Sequence, residues 1–310
     1  MRVVFLGTPD FAVPSLEALI KNGYDIVGVF TQPDRPAKRG HKLMAPPVKQ
    51  CAQEHSLDVF QFEKIKSEEG VKALKALNPD IMITAAFGQI LSKEVLDIPK
   101  YGCINVHGSL LPKYRGAAPI QWAIINGEKI TGVTTMYTDI GLDTGDIILK
   151  KEIVIKKDET AGELFDRMAP IGADLLIETL KEIEKGNLKR EKQNENEATH
   201  YPMLKKEMGK MDFNKDANEL YNLVRGVTPW PGAYFMLGED VIKVLKVNVA
   251  DENTNKEPGT VIKASPKEGL IIACKNGAIE IESLRAPSGK QMSAKDFLLG
   301  RKTSTGTIVK

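Results

Sequence analysis

The sequence is poor in the residues that most often announce chemistry. It has three cysteines, Cys51, Cys103 and Cys274, odd in number and far apart. That excludes a CxxC metal or redox motif and suits free thiols in a reducing compartment. There are four histidines, and they form no metal-ligand cluster with the cysteines. No apolar run approaches the ~18 residues that span a bilayer. The opening "MRVVFLGTPDF" runs from a strand-like stretch into a Pro-Asp turn without a cleavable leader, so a cytoplasmic protein is expected. Neither sign of charge dominates, with 43 Lys and Arg against 41 Asp and Glu. The first turn after a strand, "GTPDFA", lacks two of the glycines of GxGxxG. Pro9 and Ala12 stand in their places, and proline removes a backbone donor that a pyrophosphate would use. A nicotinamide oxidoreductase is disfavoured. Without GxxxxGK[ST], phosphoryl transfer from ATP has no cradle.

What is present is alternation. "RVVFLG" and "DIVGVFT" are short apolar runs of the kind that forms buried parallel strands. Between them Val13, Leu16, Leu19 and Ile20 have helical spacing. "EEGVKALKALN", "PIQWAIING" and residues 160–185 read as helices, and "DIMITAAFG", "YGCINVHG", "TGVTTMYTD" and "DIILKKEIVI" as strands. This order predicts an α/β, Rossmann-like doubly wound sheet over residues 1–186. Residues 187–206 are polar and aperiodic and read as an interdomain linker. From 207 to 310, one helix, "DANELYNLVRGV", precedes five short strand candidates at close spacing, which predicts a small OB-like β-barrel. Charge is uneven between the halves. Residues 1–200 carry 26 basic against 28 acidic side chains, and residues 201–310 carry 17 against 13. By itself that imbalance reads as a solvated surface; the functional alternative is a basic domain facing a polyanion.

The candidate site lies in "CINVHGSLLPKYRG". On a strand Asn105 and His107 share one face, and ligands of open α/β sheets sit beyond the carboxyl ends of the strands. An amide and an imidazole can together stabilise a developing oxyanion, and the imidazole can also exchange a proton near neutral pH. His55 and His200 have no such neighbour and read as structural. In "DIGLDTGDIIL", Asp139 and Asp146 read as turn formers, and Asp143 sits where a carboxylate could orient His107 or a bridging water. The stretch "TQPDRPAKRGHKLMAPPVK" carries Arg35, Lys38, Arg39, Lys42 and Lys49 against Asp34 alone. It follows the second strand and is expected as a flexible basic insertion at the same edge of the sheet.

"GTPDFA", "TQPDRPAKRGHKL", "CINVHGSLLPKYRGAAPIQWAIINGE" and "GLDTGDI" resemble, in order and spacing, segments of the methionyl-tRNA formyltransferase family. The resemblance continues through "RGVTPWPGAYF" and "PGTVI", so it covers essentially the whole chain. It implies Asn105, His107 and Asp143 as catalytic residues. It implies folate binding along Ser109, Leu110, Leu111 and Pro112, near residues 87–91 (Phe87, Gly88 and Leu91), and near residues 139–143, with Asp139. Arg35, Lys38, Arg39 and Lys42 would contact the tRNA acceptor end, and the C-terminal barrel would bind tRNA. Lys113 stands where the family commonly has arginine, which keeps the charge and loses the bidentate fork.

The reaction so implied moves the formyl group of 10-formyltetrahydrofolate, as donor substrate and without a metal, to the methionyl amine of initiator tRNA. A monomer with no membrane partner is expected. Two rivals share the pocket: a formyltransferase for a small amine and a hydrolase releasing formate. A catalytically silent RNA-binding protein is disfavoured by the intact Asn105, His107 and Asp143.

Overall fold

The computed structural model describes residues 1–37, 42–186, 188–250, 254–287, 289–301 and 303–310, with Ala37 and Lys42 by backbone alone. The chain divides into two compact units. Met1–Pro119, Ile130–Val154 and Phe165–Tyr201 form the first, and Ile120–Lys129, Ile155–Leu164 and Pro202–Lys310 the second.

The first unit starts with β1 (Arg2–Gly7), α1 (Val13–Lys21) and β2 (Asp25–Thr31). After its first residue β1 is buried at every position. Continuous burial, instead of alternation, marks a strand covered on both faces. Of the stretch expected as a flexible basic insertion, residues 38–41 lie outside the described residues, and those on either side are paired. β3 (Arg35–Ala37) and β4 (Lys42–Met44) pair antiparallel, followed by α2 (Pro47–Glu54) and the edge strand β5 (Val59–Gln61). Next comes α3 (Glu68–Leu77). Its N-cap Ser67 accepts from the Gly70 amide, Glu68 and Glu69 face the positive helix end, and Asn78 closes it in the left-handed region.

The chain continues through β6 (Ile81–Ala85), α4 (Lys93–Leu96), β7 (Cys103–His107), β8 (Arg115–Gly116), α5 (Pro119–Ile125), β9 (Ile130–Tyr137), β10 (Ile147–Val154), α6 (Ala161–Lys185) and β11 (His200–Tyr201). The seven-stranded sheet has the order β10-β9-β7-β6-β1-β2-β5. β5, β2, β1, β6 and β7 run parallel; β9 is reversed, and β10, antiparallel to β9, runs with the first five at the edge. The chain moves outward from β1 through β2 to β5, then returns to β6 on the other side. The β1/β6 boundary is therefore the switch point, where such sheets open a crevice. Helices cover both faces. Cys103 joins the cluster containing Val71 and Leu74 of α3, whereas a Cβ on Gly172 of α6 would meet Val106. Residues 103 and 106 point to opposite faces of β7.

The second unit has α7 (Ala217–Gly226), opened by a capping box between Asp216 and Glu219. All five strands expected from its sequence form: β12 (Ala233–Leu237), β13 (Asp240–Ala250), β14 (Val261–Ser265), β15 (Gly269–Ala273) and β16 (Ala278–Arg285). They are antiparallel in the order β12-β13-β16-β15-β14. A short β17 (Met292–Ser293) pairs with β16 and leads into α8 (Ala294–Gly300). The last residues join the sheet's two edges. Lys310 exchanges backbone hydrogen bonds with Met236 of β12, while Val309 and Thr307 bond to Gly259 and to Val261 of β14. The tail thus pairs part of each edge of the sheet and leaves less of it open. The inward residues Phe235, Ile242, Val244, Ile272, Ile279 and Ile281 pack with Leu220 and Val224 of α7.

Candidate active site

The carboxyl end of β7 carries the candidate pair. Asn105 is half-buried, and its Oδ1 lies 3.0 Å from the Thr84 hydroxyl on the neighbouring β6. Its Nδ2 has no hydrogen-bond partner among the described residues, so both N–H donors of its amide remain uncommitted. His107, two residues on, is buried at 6% exposure. Its Nε2 lies 2.9 Å from the carbonyl oxygen of Tyr114. A carbonyl only accepts, so Nε2 carries the proton and Nδ1 of the neutral ring keeps its lone pair. Nδ1 in turn lies 3.7 Å from Asp143 Oδ2.

Two groups therefore flank the ring, one on each nitrogen. The group that fixes the ring is the backbone carbonyl of Tyr114, at hydrogen-bond distance, and Asp143 stands just beyond that distance on the other nitrogen. The Asp143 carboxylate is itself held by the Gly116 amide, which donates to Oδ2 at 2.8 Å. Both holding residues are in the left-handed region, Tyr114 at φ 61° and Asp143 at φ 55°. That region is common for Asp and costly for a bulky aromatic, so the surroundings must impose it on Tyr114. They do. The Tyr114 amide donates to Thr199 Oγ1 at 2.8 Å, and its ring stacks on Tyr201 at 4.9 Å and 14°.

The two loops that meet here are built from local chemistry. In "SLLPK" the Ser109 hydroxyl donates to the Lys113 carbonyl at 2.7 Å, and the Ser109 carbonyl accepts from Thr134 at 2.7 Å. Ser109 is fully buried, so its polar atoms close the turn. Leu111 is buried with Met136 and Ile147, Leu110 and Pro112 are half-buried, and Lys113 is exposed. The loop after β9 leaves opposite Ile104 and folds back along β7 until Asp143 reaches His107. Asp139 makes that turn, as expected. Its Oδ1 accepts from the Gly141 amide at 3.0 Å and the Thr144 hydroxyl at 2.6 Å. Gly145 is needed where it stands because a Cβ there would collide with the Tyr137 carbonyl.

Residues 87–91 lie at the switch point. Phe87 and Leu91 bury their side chains in the core, whereas Gly88 is exposed at φ 81° and Ile90 is exposed. Thr8 and Gln32 both donate to the Phe87 carbonyl, and Gln32 also donates to that of Gly88. The loop therefore presents fixed backbone, and its apolar side chains anchor it.

Of the basic residues, Arg35 lies exposed, 3.5 Å from Glu63. Lys49 belongs to α2 and is committed to Asp34 at 2.8 Å and to Gln61 at 2.8 Å. The Lys49 ammonium, and then the Gln61 amide, hold the Asp34 carboxyl below its usual pKa. Lys38 and Arg39 lie outside the described residues, and Lys42 is described by backbone alone.

No pattern in the sequence pointed to Arg115 or to residues 191–201. Arg115 is 1% exposed. Its guanidinium grips both carboxylate oxygens of Glu195 at 2.9 and 2.7 Å and donates from Nε to Gln193 Oε1 at 2.9 Å. That pairing holds the Glu195 carboxyl below its usual pKa. The stretch read as a linker here pairs β11 with β8. A buried arginine has no local signature, and only its long-range partners reveal it.

Thiol chemistry has little support. Burial pushes the Cys51 thiol to about 11 and those of Cys103 and Cys274 to about 12. Among the described residues no helix is long and apolar enough to cross a membrane.

The chain matches the family model for formyl transferase over residues 1–180 and that for the formyl transferase C-terminal domain over residues 203–302. It is 50% identical over 308 residues to a methionyl-tRNA formyltransferase of Ruminiclostridium cellulolyticum, covering 99% of this chain and 98% of the relative. It is also 50% identical over 309 residues to one of Clostridioides difficile, covering 100% of each. Among solved structures, an N-formyltransferase of Helicobacter canadensis, in complex with folinic acid and dTDP-3-aminofucose, has a TM-score of 0.65 at 22% identity, covering 90% of this chain and 98% of that one. A sugar 3N-formyl transferase has a TM-score of 0.67 at 20% identity, covering 94% and 99%. Likeness at that level of identity speaks for the fold.

Proposed function

The chain belongs to the formyl transferase family and, at half identity over its whole length, to the methionyl-tRNA formyltransferases; from that premise we propose how its own residues carry the reaction. The protein is an enzyme that transfers the formyl group of 10-formyltetrahydrofolate to the methionine α-amine of initiator methionyl-tRNA. An α-amine has a pKa of about 7.7–8.0, and esterification of the neighbouring carboxyl lowers it, so much of it is neutral at pH 7. What remains for the protein is to stabilise charge on the formyl oxygen and to move one proton.

In our reading Asn105 Nδ2 is the donor to that oxygen as the amine adds to the formyl carbon. His107 Nδ1 takes the proton the amine must lose, and the charged ring is stabilised by Asp143. The same proton passes from Nδ1 to N10 of the donor as the carbon–nitrogen bond to the folate breaks. One C–N bond forms, one breaks, and His107 ends as it began. The observation that carries this reading is the orientation of His107. Its Nε2 is occupied by the Tyr114 carbonyl, so the exchangeable nitrogen faces Asp143.

Folate is assigned to the exposed backbone of residues 88–90 at the switch point and to the turns of residues 109–112 and 139–143. The acceptor end of the tRNA is assigned to Arg35, Lys38, Arg39 and Lys42, and the body of the tRNA to the second unit. We infer a cytoplasmic location from the use of charged tRNA and a folate donor. The test is to supply formyl-labelled 10-formyltetrahydrofolate with methionyl-tRNA, with free methionine, with an amino sugar, or with no acceptor. Label should accumulate on methionyl-tRNA alone. Equal transfer to a small amine, or release of formate at the same rate without acceptor, would contradict the reading.

A further inference from the structure

Residues 191–201 have no place in the chemistry above, yet they tie together the two loops that hold it. Glu191 exchanges backbone hydrogen bonds with Ile147, at 2.8 and 2.9 Å. Thr199 receives the Arg115 amide on its carbonyl and the Tyr114 amide on its hydroxyl, both at 2.8 Å. The Ala117 amide donates to the Tyr201 carbonyl at 3.1 Å. The strap therefore grips the loop that orients His107 at several points. On the loop that carries Asp143, the side-chain hydrogen bonds described for the strap come from one residue.

That residue is Gln193. Its Nε2 donates to the carbonyls of Asp143 and Gly145, each at 2.8 Å. Its Oε1 accepts from Arg115 Nε at 2.9 Å. A primary amide has two N–H donors, so Gln193 satisfies two carbonyls of the turn while its oxygen is clamped by a buried guanidinium. Asp143 is in the left-handed region at φ 55°, and the direction of its carboxylate follows from that backbone. Left unsatisfied, those two carbonyls could turn outward to water and take the carboxylate with them.

We propose that Gln193 is a positioning residue for formyl transfer, which holds the residue 143–145 turn so that the Asp143 carboxylate faces His107. It touches no substrate and acts through Asp143. This rests on the reading of Asp143 and His107 as the working pair. It goes beyond that reading by assigning a catalytic consequence to the strap.

The test is a double-mutant cycle on the full-length enzyme with methionyl-tRNA and 10-formyltetrahydrofolate. Gln193→Met removes the two donors with little change of volume. Gln193→Glu keeps a partner for Arg115 and still cannot donate to the carbonyls, so it serves if the methionine variant does not fold. Each should lower kcat by about tenfold to a hundredfold, the scale set by a small misplacement of reacting groups, with KM for methionyl-tRNA little changed. In an Asp143→Asn background the same changes should cost little more, because a residue that acts through Asp143 loses its effect once that carboxylate is gone. Normal kcat in both Gln193 variants, or a loss that simply adds to that of Asp143→Asn, overturns the proposal. Should Asp143→Asn alone keep full activity, the reading of the working pair fails, and the failure is visible as such.

Discussion

His107 Nε2 lies 2.9 Å from the carbonyl oxygen of Tyr114, on the side of the ring away from Asp143. This contact selects the tautomer before any substrate arrives, because the carbonyl demands a donor.

The neutral form of His107 should therefore be protonated at Nε2. Nitrogen-15 spectra of histidine-labelled enzyme, compared with a His107→Gln variant to assign the signal, distinguish the two nitrogens. A neutral ring protonated at Nδ1 would remove the lone pair from the side facing Asp143.

The three acidic residues of "DIGLDTGDI" should respond differently to amide substitution. Asp139 serves as an acceptor for Gly141 and Thr144, and an asparagine oxygen can do the same, so Asp139→Asn should retain most activity. Asp143→Asn keeps the shape and loses the charge that stabilises protonated His107. It should bind the folate donor normally and lose turnover by about a hundredfold or more, the size of losing one charge-stabilising group. Asp146→Asn should be mild. Steady-state kinetics of the three variants decide, and greater damage at Asp139 or Asp146 would show that the wrong carboxylate had been chosen.

The Asp34–Lys49 pair has a stability consequence with a definite sign. Lys49 and Gln61 depress the Asp34 pKa in the folded state. Its contribution is therefore present above the unfolded value of about 3.9 and is lost as pH falls through the lower folded value. Asp34→Asn should melt below the wild type at pH 7, and the gap in Tm should close as the pH is lowered through the acid range. A gap that stays constant from neutral to acid pH would mean that the charge on Asp34 contributes nothing.

The second unit's lysines are unequal. Lys246 is paired with Glu282 at 2.8 Å, whereas Lys243 is exposed with no ion-pair partner among the described residues. If this unit binds the tRNA backbone, Lys243→Ala should flatten the salt dependence of tRNA binding by somewhat under one unit of log–log slope, about the share of one phosphate contact. Lys246→Ala should change it less, because Glu282 already offsets that charge. Arg39→Ala should instead lower kcat/KM at every salt concentration by misplacing the acceptor end. Binding titrations across a salt series check the lysines and steady-state rates check Arg39. Equal slopes for Lys243→Ala and the wild type would remove Lys243 from the interface.

The alternation of the first half and the five strands of the second were legible because each rests on local signals: apolar runs, helical spacing and punctuation by glycine and proline. Asn105 and His107 were legible for the same reason, since two residues on one strand share a face. Elements built from few residues were not. β3, β4 and β5 have three residues each, too short for a period, although Pro47 at the start of α2 is a recognisable helix-opening signal. The strap of residues 191–201 was illegible for a different reason. Its order comes from Arg115, Tyr114 and Asp143, which lie 50 to 85 positions away in the chain. Polar residues satisfied by distant partners look, in sequence, like polar residues satisfied by water. The same holds for the Tyr114 carbonyl, because a backbone atom carries no signature.

Asn105 offers an uncommitted amide donor and His107 an uncommitted Nδ1, and the proposed chemistry needs both. The most direct test is single-turnover formyl transfer with enzyme in excess and with saturating 10-formyltetrahydrofolate and methionyl-tRNA, comparing the wild type with Asn105→Ala and His107→Ala. Each variant should melt as a folded protein and bind the folate donor. Each should transfer the formyl group about a hundredfold or more slowly, the cost of losing one donor to a developing oxyanion or the group that carries its proton. Transfer at close to the wild-type rate by either folded variant would contradict the assignment of the active site.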